Sequence, residues 1–488
     1  GKLKKRLSEV LEGANYEYVR GDTGDLVRGI SYDSRSVEEG DLFIAVVGEN
    51  ADGHDYIKEA VKRGAVAIVG QKDPVDVEVA NHTYVKVRDS RKEMASLSSS
   101  FYEAPTTSLF TVGITGTNGK TTTAHLSTRV LGEEETGALN TLTNEVTPGI
   151  TEPVTTPESP EIQKFARRLR DRGTRNFVLE VSSHSLELNR VNRVDFDVGV
   201  FTNLTRDHLD YHSSMEEYKR AKEKLFRYLT RGDTAIINGD EDFGDRLEKI
   251  TEARTLRYGL TDNADVVGDK LRKTSSGVSF KVTSPRGEAK VELGLFGRYN
   301  VYNALAAFSV GLASGMEPTK VAERLRGASS LPGRMERLEL NNGADIYVDF
   351  AHNPGAFRAV LRELAALYKS VSVVFGCGGE SDRGKRPEMG QIASEYGDFI
   401  YLTDDNPKKE DRLEILHEIE HGIKAESEYQ VIPERKEAIE RAVVELPPKG
   451  VLLIAGKGHE DYQIVGDEWI SYNDREFVEK ICKKRSLI

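Results

Sequence analysis

The stretch Ser108-Leu-Phe-Thr-Val-Gly-Ile-Thr-Gly-Thr-Asn-Gly-Lys-Thr-Thr-Thr123 sets an apolar run ahead of a glycine-rich turn that closes on Lys120 and Thr121. Those residue types suit a nucleoside triphosphate. Backbone N–H groups of such a turn can surround phosphate oxygens, the lysine ammonium offsets the charge of the terminal phosphates, and the next hydroxyl can ligate Mg2+. The strict Gly-x-x-x-x-Gly-Lys-[Ser/Thr] spacing needs glycine at 114, where Ile114 stands. The reading therefore rests on Gly116, Gly119, Lys120 and Thr121, with Thr117, Asn118 and Thr122 in the same turn; the bland alternative is an ordinary strand-to-helix turn.

Further polar groups follow at the ends of apolar runs, where α/β folds place their chemistry. Glu180 sits in Phe177-Val-Leu-Glu-Val181, and a carboxylate buried in a strand is costly unless a cation or hydrogen bonds compensate it. A magnesium ion would do so. The segment Phe201–His212 carries Asp207, His208 and Asp210, which read equally as metal ligands or as a solvated loop. Residues 218–226 read as a helix with a basic face containing Lys222, and such a face is ordinarily surface.

Three α/β segments must hold these groups. Residues 1–107 alternate short strands (Asp41–Val47, Val66–Val69) with amphipathic helix (Asp55–Lys62), giving a small N-terminal domain. Residues 108–331 carry the phosphate loop and strands at Phe177–Val181, Asp197–Thr202 and Thr234–Asn238, separated by helical stretches. This is a central P-loop ATPase-like domain. Residues 332–488 alternate strands (Ile346–Phe350, Val371–Phe375, Phe399–Thr403, Val451–Ala455) with helices, as in a Rossmann-like, doubly wound domain. The break at Leu331-Pro-Gly333 is the clearest boundary.

Composition narrows the class. The 488 residues are 38% hydrophobic and 30% charged, enough for several cores under a charged surface. Eighty acidic against 68 basic residues give a net charge of −12, which disfavours a nonspecific nucleic-acid binder. Two cysteines, Cys377 and Cys482, are too few for a disulfide framework and suit a reducing compartment. No apolar run approaches the roughly 20 residues that span a bilayer, so no membrane partner and a cytoplasmic location are expected.

Taken together, Gly116-Thr-Asn-Gly-Lys-Thr121, Glu180-Val-Ser-Ser-His184, Thr202–Asp210 and Tyr218-Lys-Arg-Ala-Lys222 resemble the ordered motif series of the Mur ligases. The resemblance continues through Gly297–Asn303, Leu331–Glu336, Val348–His352 and Ala455–Glu460, and so spans essentially the whole chain. Within that family it is most similar to the MurE-type tripeptide synthetases, because Asp33-Ser-Arg35, Gly53-His-Asp55, Gly376-Cys-Gly-Gly379, Gly384-Lys-Arg-Pro387 and Asp404-Asp-Asn-Pro407 also fit.

The resemblance implies an ADP-forming ligase that activates a peptide carboxylate as an acyl phosphate and lets an amino acid displace the phosphate. It implies ATP and two Mg2+ ions. Lys120, Lys222 and His208 would be catalytic, and Thr121, Glu180, His208 and Lys222 would serve the metals, Lys222 after carbamylation. Asn300, Arg334, Asp349 and His352 would join the loop in holding ATP. Ser34, Arg35, Thr155, Thr156, Ser182 and Arg190 would bind a UDP-linked peptide acceptor of murein or pseudomurein type. Asp405, Asn406, Lys408, Gly456 and Glu460 would bind the amino acid in a C-terminal amino-acid and ATP-closing domain. A monomer is expected.

Some departures bear on substrate choice. Leu188 stands where glutamine is frequent, and Gly137–Pro148 differs from the usual glycine-rich segment. Family members that add meso-diaminopimelate typically carry arginines where this chain has Ser381 and Lys408. Lysine is a point charge and serine carries none, so two bidentate carboxylate grips are weakened and a preference away from meso-diaminopimelate is expected. The alternatives are a folylpoly-γ-glutamate synthetase-like ligase and a non-synthetic P-loop nucleotide switch.

Overall fold

The computed structural model describes residues 3–74, 82–139, 156–204, 215–274, 277–329 and 335–488. Of the expected site residues, Thr155, His208 and Arg334 lie outside these, as do Asp207, Asp210 and the break at Leu331–Gly333. The chain divides into two compact units, Gly1–Ala328 and Ser329–Ile488.

The first unit contains two sheets of consequence. Near the N-terminus, strands run in the order Tyr18–Arg20, Thr83–Lys86, Ala67–Gly70, Asp41–Ile44, Gly29–Ser31, parallel except for the first pair. The larger sheet has ten strands among the described residues. Its parallel centre sets Phe110–Thr115 between Asn176–Glu180 and Val198–Phe201, all three buried on both faces and correspondingly apolar. Val112, Ile114 and Val178 pack toward the helices Lys120–Leu131 and Arg298–Ala313, while Phe177 and Leu179 pack toward Ser159–Asp171 and Met215–Tyr228. Two faces of one sheet thus have separate cores. Because the three central strands are parallel, their carboxyl ends deliver the phosphate loop, Glu180 and Thr202-Asn203 to one edge.

The sequence reading did not anticipate the far side of this sheet. There Val266–Lys273, Val278–Ser284 and Gly287–Gly294 form an antiparallel meander.

The second unit is a six-stranded sheet in the order Glu336–Glu339, Asp345–Asp349, Val451–Ala455, Val371–Phe375, Phe399–Leu402, Glu428–Val431. Only the first pair is antiparallel. Chain order reverses around Val451–Ala455, and the loops after Asp349, Phe375, Leu402 and Ala455 leave from the same edge. Such a switch point is where doubly wound sheets bind ligands.

Candidate functional site

The phosphate turn is built by close backbone approach. Gly116 has φ 151° and an added Cβ would lie 1.7 Å from Thr202 Oγ1; Gly119 has φ 84° and its Cβ would meet Asn303 Oδ1 at 2.5 Å. Glycine is required at both. The neighbouring strand end clamps the turn: Asn118 N–H donates to Asn203 Oδ1 at 2.8 Å, and Asn118 O accepts from Thr202 Oγ1 at 2.8 Å and Asn203 Nδ2 at 3.0 Å. Thr117 Oγ1 lies 2.9 Å from Tyr218 Oη.

Lys120 opens its helix and donates back to Gly116 O at 2.8 Å, which keeps its ammonium over the turn. Burial lowers its pKa, and Glu180 acts in the opposite direction. Thr121 donates its hydroxyl to Glu180 Oε1 at 2.8 Å, and Glu180 is 1% exposed. Two hard oxygen donors therefore stand side by side next to a phosphate turn, which is the donor chemistry Mg2+ takes. These residues fit a magnesium ion. Thr122 follows in the first turn of the same helix.

Lys222 is 1% exposed, with its ammonium 4.7 Å above the Tyr218 ring, and no carboxylate pairs with it among the described residues. Burial, reinforced by the charge of Lys120, pushes its pKa well below the ordinary lysine value. The surface reading of this helix face is thereby corrected: Lys222 points into the protein, because the stripe Tyr218, Ala221, Lys222, Leu225 is the one that packs inward. The shift favours the deprotonated, nucleophilic form of the amine relative to a surface lysine.

Among the residues expected to bind the acceptor, Thr156 Oγ1 donates to Glu180 O at 2.8 Å and accepts from Ser182 N–H at 3.1 Å, tying Thr156 and Ser182 to the strand that ends in Glu180. Arg190 donates to Thr156 O at 3.1 Å and pairs with Glu158 at 3.3 Å; Glu158 also pairs with Arg91 at 2.6 Å. Ser34 is buried against Glu59 at 3.0 Å. Arg35 is exposed and held by Asp33.

Asn300 and Asn303 lie inside the helix Arg298–Ala313, whose N-cap is Gly297, so neither caps it. Instead Asn303 Nδ2 donates to Asn300 Oδ1 at 3.2 Å and Asn303 Oδ1 accepts from Thr123 at 3.2 Å, coupling this helix to the phosphate-loop helix.

In the second unit, Asp349 is 2% exposed at its strand end, with Oδ1 accepting from Met335 N–H at 2.9 Å and Oδ2 from Ala351 N–H at 2.7 Å. His352 Nδ1 is 3.0 Å from Phe350 O. Asp405, Asn406, Gly456 and Glu460, four of the five residues expected to bind the amino acid, come together around Lys457. Lys457, wholly buried, donates to Asn406 Oδ1 at 2.8 Å and Glu460 Oε1 at 3.2 Å and lies 3.9 Å from Asp405 Oδ1. Gly456 (φ 111°) leaves room for Asp405, whose Oδ2 would be 2.6 Å from an added Cβ. Burial raises the Glu460 pKa, opposed by Lys457. Lys408 holds φ 54°, and Ser381 turns its hydroxyl to Gly378 O at 2.8 Å.

Sequence reasoning missed several members. Asn203 and Tyr218 lay inside quoted motifs without a role, Asn303 read on its own as a helix cap, and Lys457 was passed over between two glycines. Arg435 and Asp474 carried no local signal. They form a fully buried pair at 2.7 Å, with the guanidinium also donating to Asp404 O and Ala455 O, both at 3.0 Å.

A glycine-rich phosphate turn with an oxygen pair beside it, on a parallel sheet followed by a second doubly wound unit, defines a P-loop α/β enzyme. Comparison with known proteins narrows the class. Residues 26–102, 114–311 and 333–458 match the profiles described as Mur ligase family, catalytic domain; Mur ligase middle domain; and Mur ligase, glutamate ligase domain. The chain is 41% identical over 480 residues to UDP-N-acetylmuramoyl-L-alanyl-D-glutamate--2,6-diaminopimelate ligase of Geobacillus thermodenitrificans, covering 96% of each. It is 40% identical over 490 residues to the ligase of that name numbered 1 in Clostridium acetobutylicum, covering 99% of each. A solved structure of a ligase of the same name superposes with TM-score 0.67 at 29% identity, covering 100% of both chains. The chain belongs to the Mur ligase family, with its three-domain α/β fold, and is an ADP-forming amide ligase.

Proposed function

We propose that this enzyme joins the amine of an amino acid to the terminal carboxylate of a UDP-N-acetylmuramoyl dipeptide at the expense of ATP. A carboxylate oxygen attacks the γ-phosphorus, the bond to the β-bridging oxygen breaks, and ADP leaves. The amine nitrogen then attacks the acyl carbon, phosphate departs with the bonding pair, and the amine loses a proton. Lys120 and the turn amides stabilise charge on the transferred group, and the clamp from Thr202 and Asn203 keeps those amides in place. Thr121 and Glu180 would hold one Mg2+, which supplies charge neutralisation on the phosphates when bound. Lys222, its pKa lowered by burial, is suited to take up CO2 and become an anionic ligand for a second ion, with His208 a further candidate ligand from the motif series. Thr156, Ser182 and Arg190, linked to the same strand end, are suited to the acceptor.

The observation that carries this reading is the buried amine of Lys222 beside the phosphate turn, paired with no carboxylate among the described residues. A nucleotide switch has no use for it, and the match over residues 26–102 supports an acceptor domain that a folate-type ligase would not require.

For the amine donor, Ser381 and Lys408 support an amino acid other than meso-diaminopimelate, with lysine favoured because Asp405 and Glu460 together outnumber the single charge of Lys457. The nearby guanidiniums of Arg383 and Arg386 are already engaged by Glu418 and Glu410. A second reading, 2,6-diaminopimelate, is favoured by the names of the relatives at about 40% identity. ADP release measured with Mg-ATP, the UDP-linked dipeptide and each amino acid tests both. Release that needs acceptor and lysine is the expected result; release with folate substrates, or with ATP alone, would overturn the proposal, and a clear preference for meso-diaminopimelate would replace the lysine assignment.

A further inference from the structure

The hairpin of Tyr462–Val465 and Glu468–Ser471 lies along the loop Asp405–Lys408 almost as a third strand. Ile464 N–H donates to Asn406 Oδ1 at 3.0 Å, Lys408 N–H to Ile464 O at 3.1 Å, Gly466 N–H to Lys408 O at 2.7 Å, and Gln463 Nε2 to Asp405 O at 2.9 Å. These four bonds set the path of the loop and hold Lys408 in the left-handed region, which a lysine does not adopt without support. The first hairpin residue reaches further. Tyr462 Oη donates to Glu460 Oε2 at 3.2 Å while Lys457 takes Oε1 at 3.2 Å, so both oxygens of one carboxylate are fixed. The Trp469 ring lies against the Tyr462 ring, centroids 4.6 Å apart and planes tilted by 43°, and limits its freedom.

The charged groups facing Glu460 are Lys457 and Asp405, and the titratable one is Tyr462. Two carboxyl groups face one lysine there, an acidic surplus when both are ionised, which fits a substrate ammonium. Glu460 performs this role only when ionised, which its burial opposes.

We propose that Tyr462 is a positioning residue for the Glu460 carboxylate and that its hairpin is the element that shapes the amino-acid site. The inference rests on the reading that residues 405–408 and 456–460 take the amino acid. Tyr462→Phe, made in the full chain, keeps the ring and its contact with Trp469 and removes only the hydroxyl. The expected result is an amino-acid KM raised about five- to tenfold, with KM for ATP and for the acceptor within about twofold of the parent. The acid limb of kcat/KM for the amino acid should also move to higher pH, because the carboxyl loses a donor that lowers its pKa. An unchanged amino-acid KM and acid limb, or an equal rise in all three KM values, would overturn the proposal. Parent enzyme that releases ADP without needing an amino acid would overturn the underlying reading instead, and with it this one.

Discussion

Gly119→Ala tests whether the phosphate turn is as tightly determined as its geometry indicates. At φ 84° alanine is in the left-handed region, which costs about 1–2 kcal/mol. Its Cβ would also sit 2.5 Å from Asn303 Oδ1, the acceptor for Thr123, and displacing that side chain forfeits a hydrogen bond of about 1 kcal/mol. The sum, about 2–3 kcal/mol, corresponds to a loss of roughly 30- to 150-fold in occupancy of the competent turn. The assay is kcat/KM for ATP with acceptor and amino acid saturating. Gly173→Ala is the control: φ is 76° and nothing lies within 4 Å, so the variant should lose some stability and leave ATP kinetics intact. A Gly119→Ala enzyme within threefold of the parent would refute the reasoning.

Lys222→Met should abolish amino-acid-dependent ADP release by at least about 100-fold, as expected when a group acting in the transition state is removed. Parent activity should fall in CO2-depleted buffer and return with bicarbonate. The depressed pKa also has a stability signature. Between that value and the ordinary 10.5 the unfolded chain carries a proton on Lys222 that the folded one lacks, so parent stability rises with pH across this window. Thermal melts of Lys222→Met should lack that slope and be higher at neutral pH. Asp474→Asn leaves the Arg435 guanidinium buried without a counter-charge and should destabilise the second unit by about 3–5 kcal/mol in urea unfolding. The double variant Ser381→Arg with Lys408→Arg should raise the meso-diaminopimelate to lysine ratio of kcat/KM at least about tenfold, the worth of one restored bidentate grip.

Much of the fold was legible because parallel, doubly buried strands write themselves as apolar runs. Thr234–Asn238, Val371–Phe375 and Val451–Ala455 were read to the residue. The meander from Val266 to Gly294 was not, since its strands are rich in exposed Lys, Arg and Glu and carry no comparable run. Lys120, Thr121 and Glu180 were legible because each contradicts its surroundings, a cation after glycines or a carboxylate inside a strand. Their supports were not. Asn203 meets Asn118 across 85 residues and Asn303 meets Thr123 across 180, and neither distance leaves a mark in local pattern. Lys222 looked like surface because five of the nine residues in 218–226, itself included, are charged; only the packing of Tyr218 and Leu225 shows which way that face turns.

The central claim is that a carboxylate is phosphorylated before the amine attacks. It is tested most directly with acceptor labelled with 18O in its terminal carboxyl group, followed by mass analysis of the released phosphate. Each phosphate formed should carry one labelled oxygen, with turnover dependent on the amino acid. Unlabelled phosphate formed alongside the amide, or ADP formed at the same rate with no amino acid present, would contradict it.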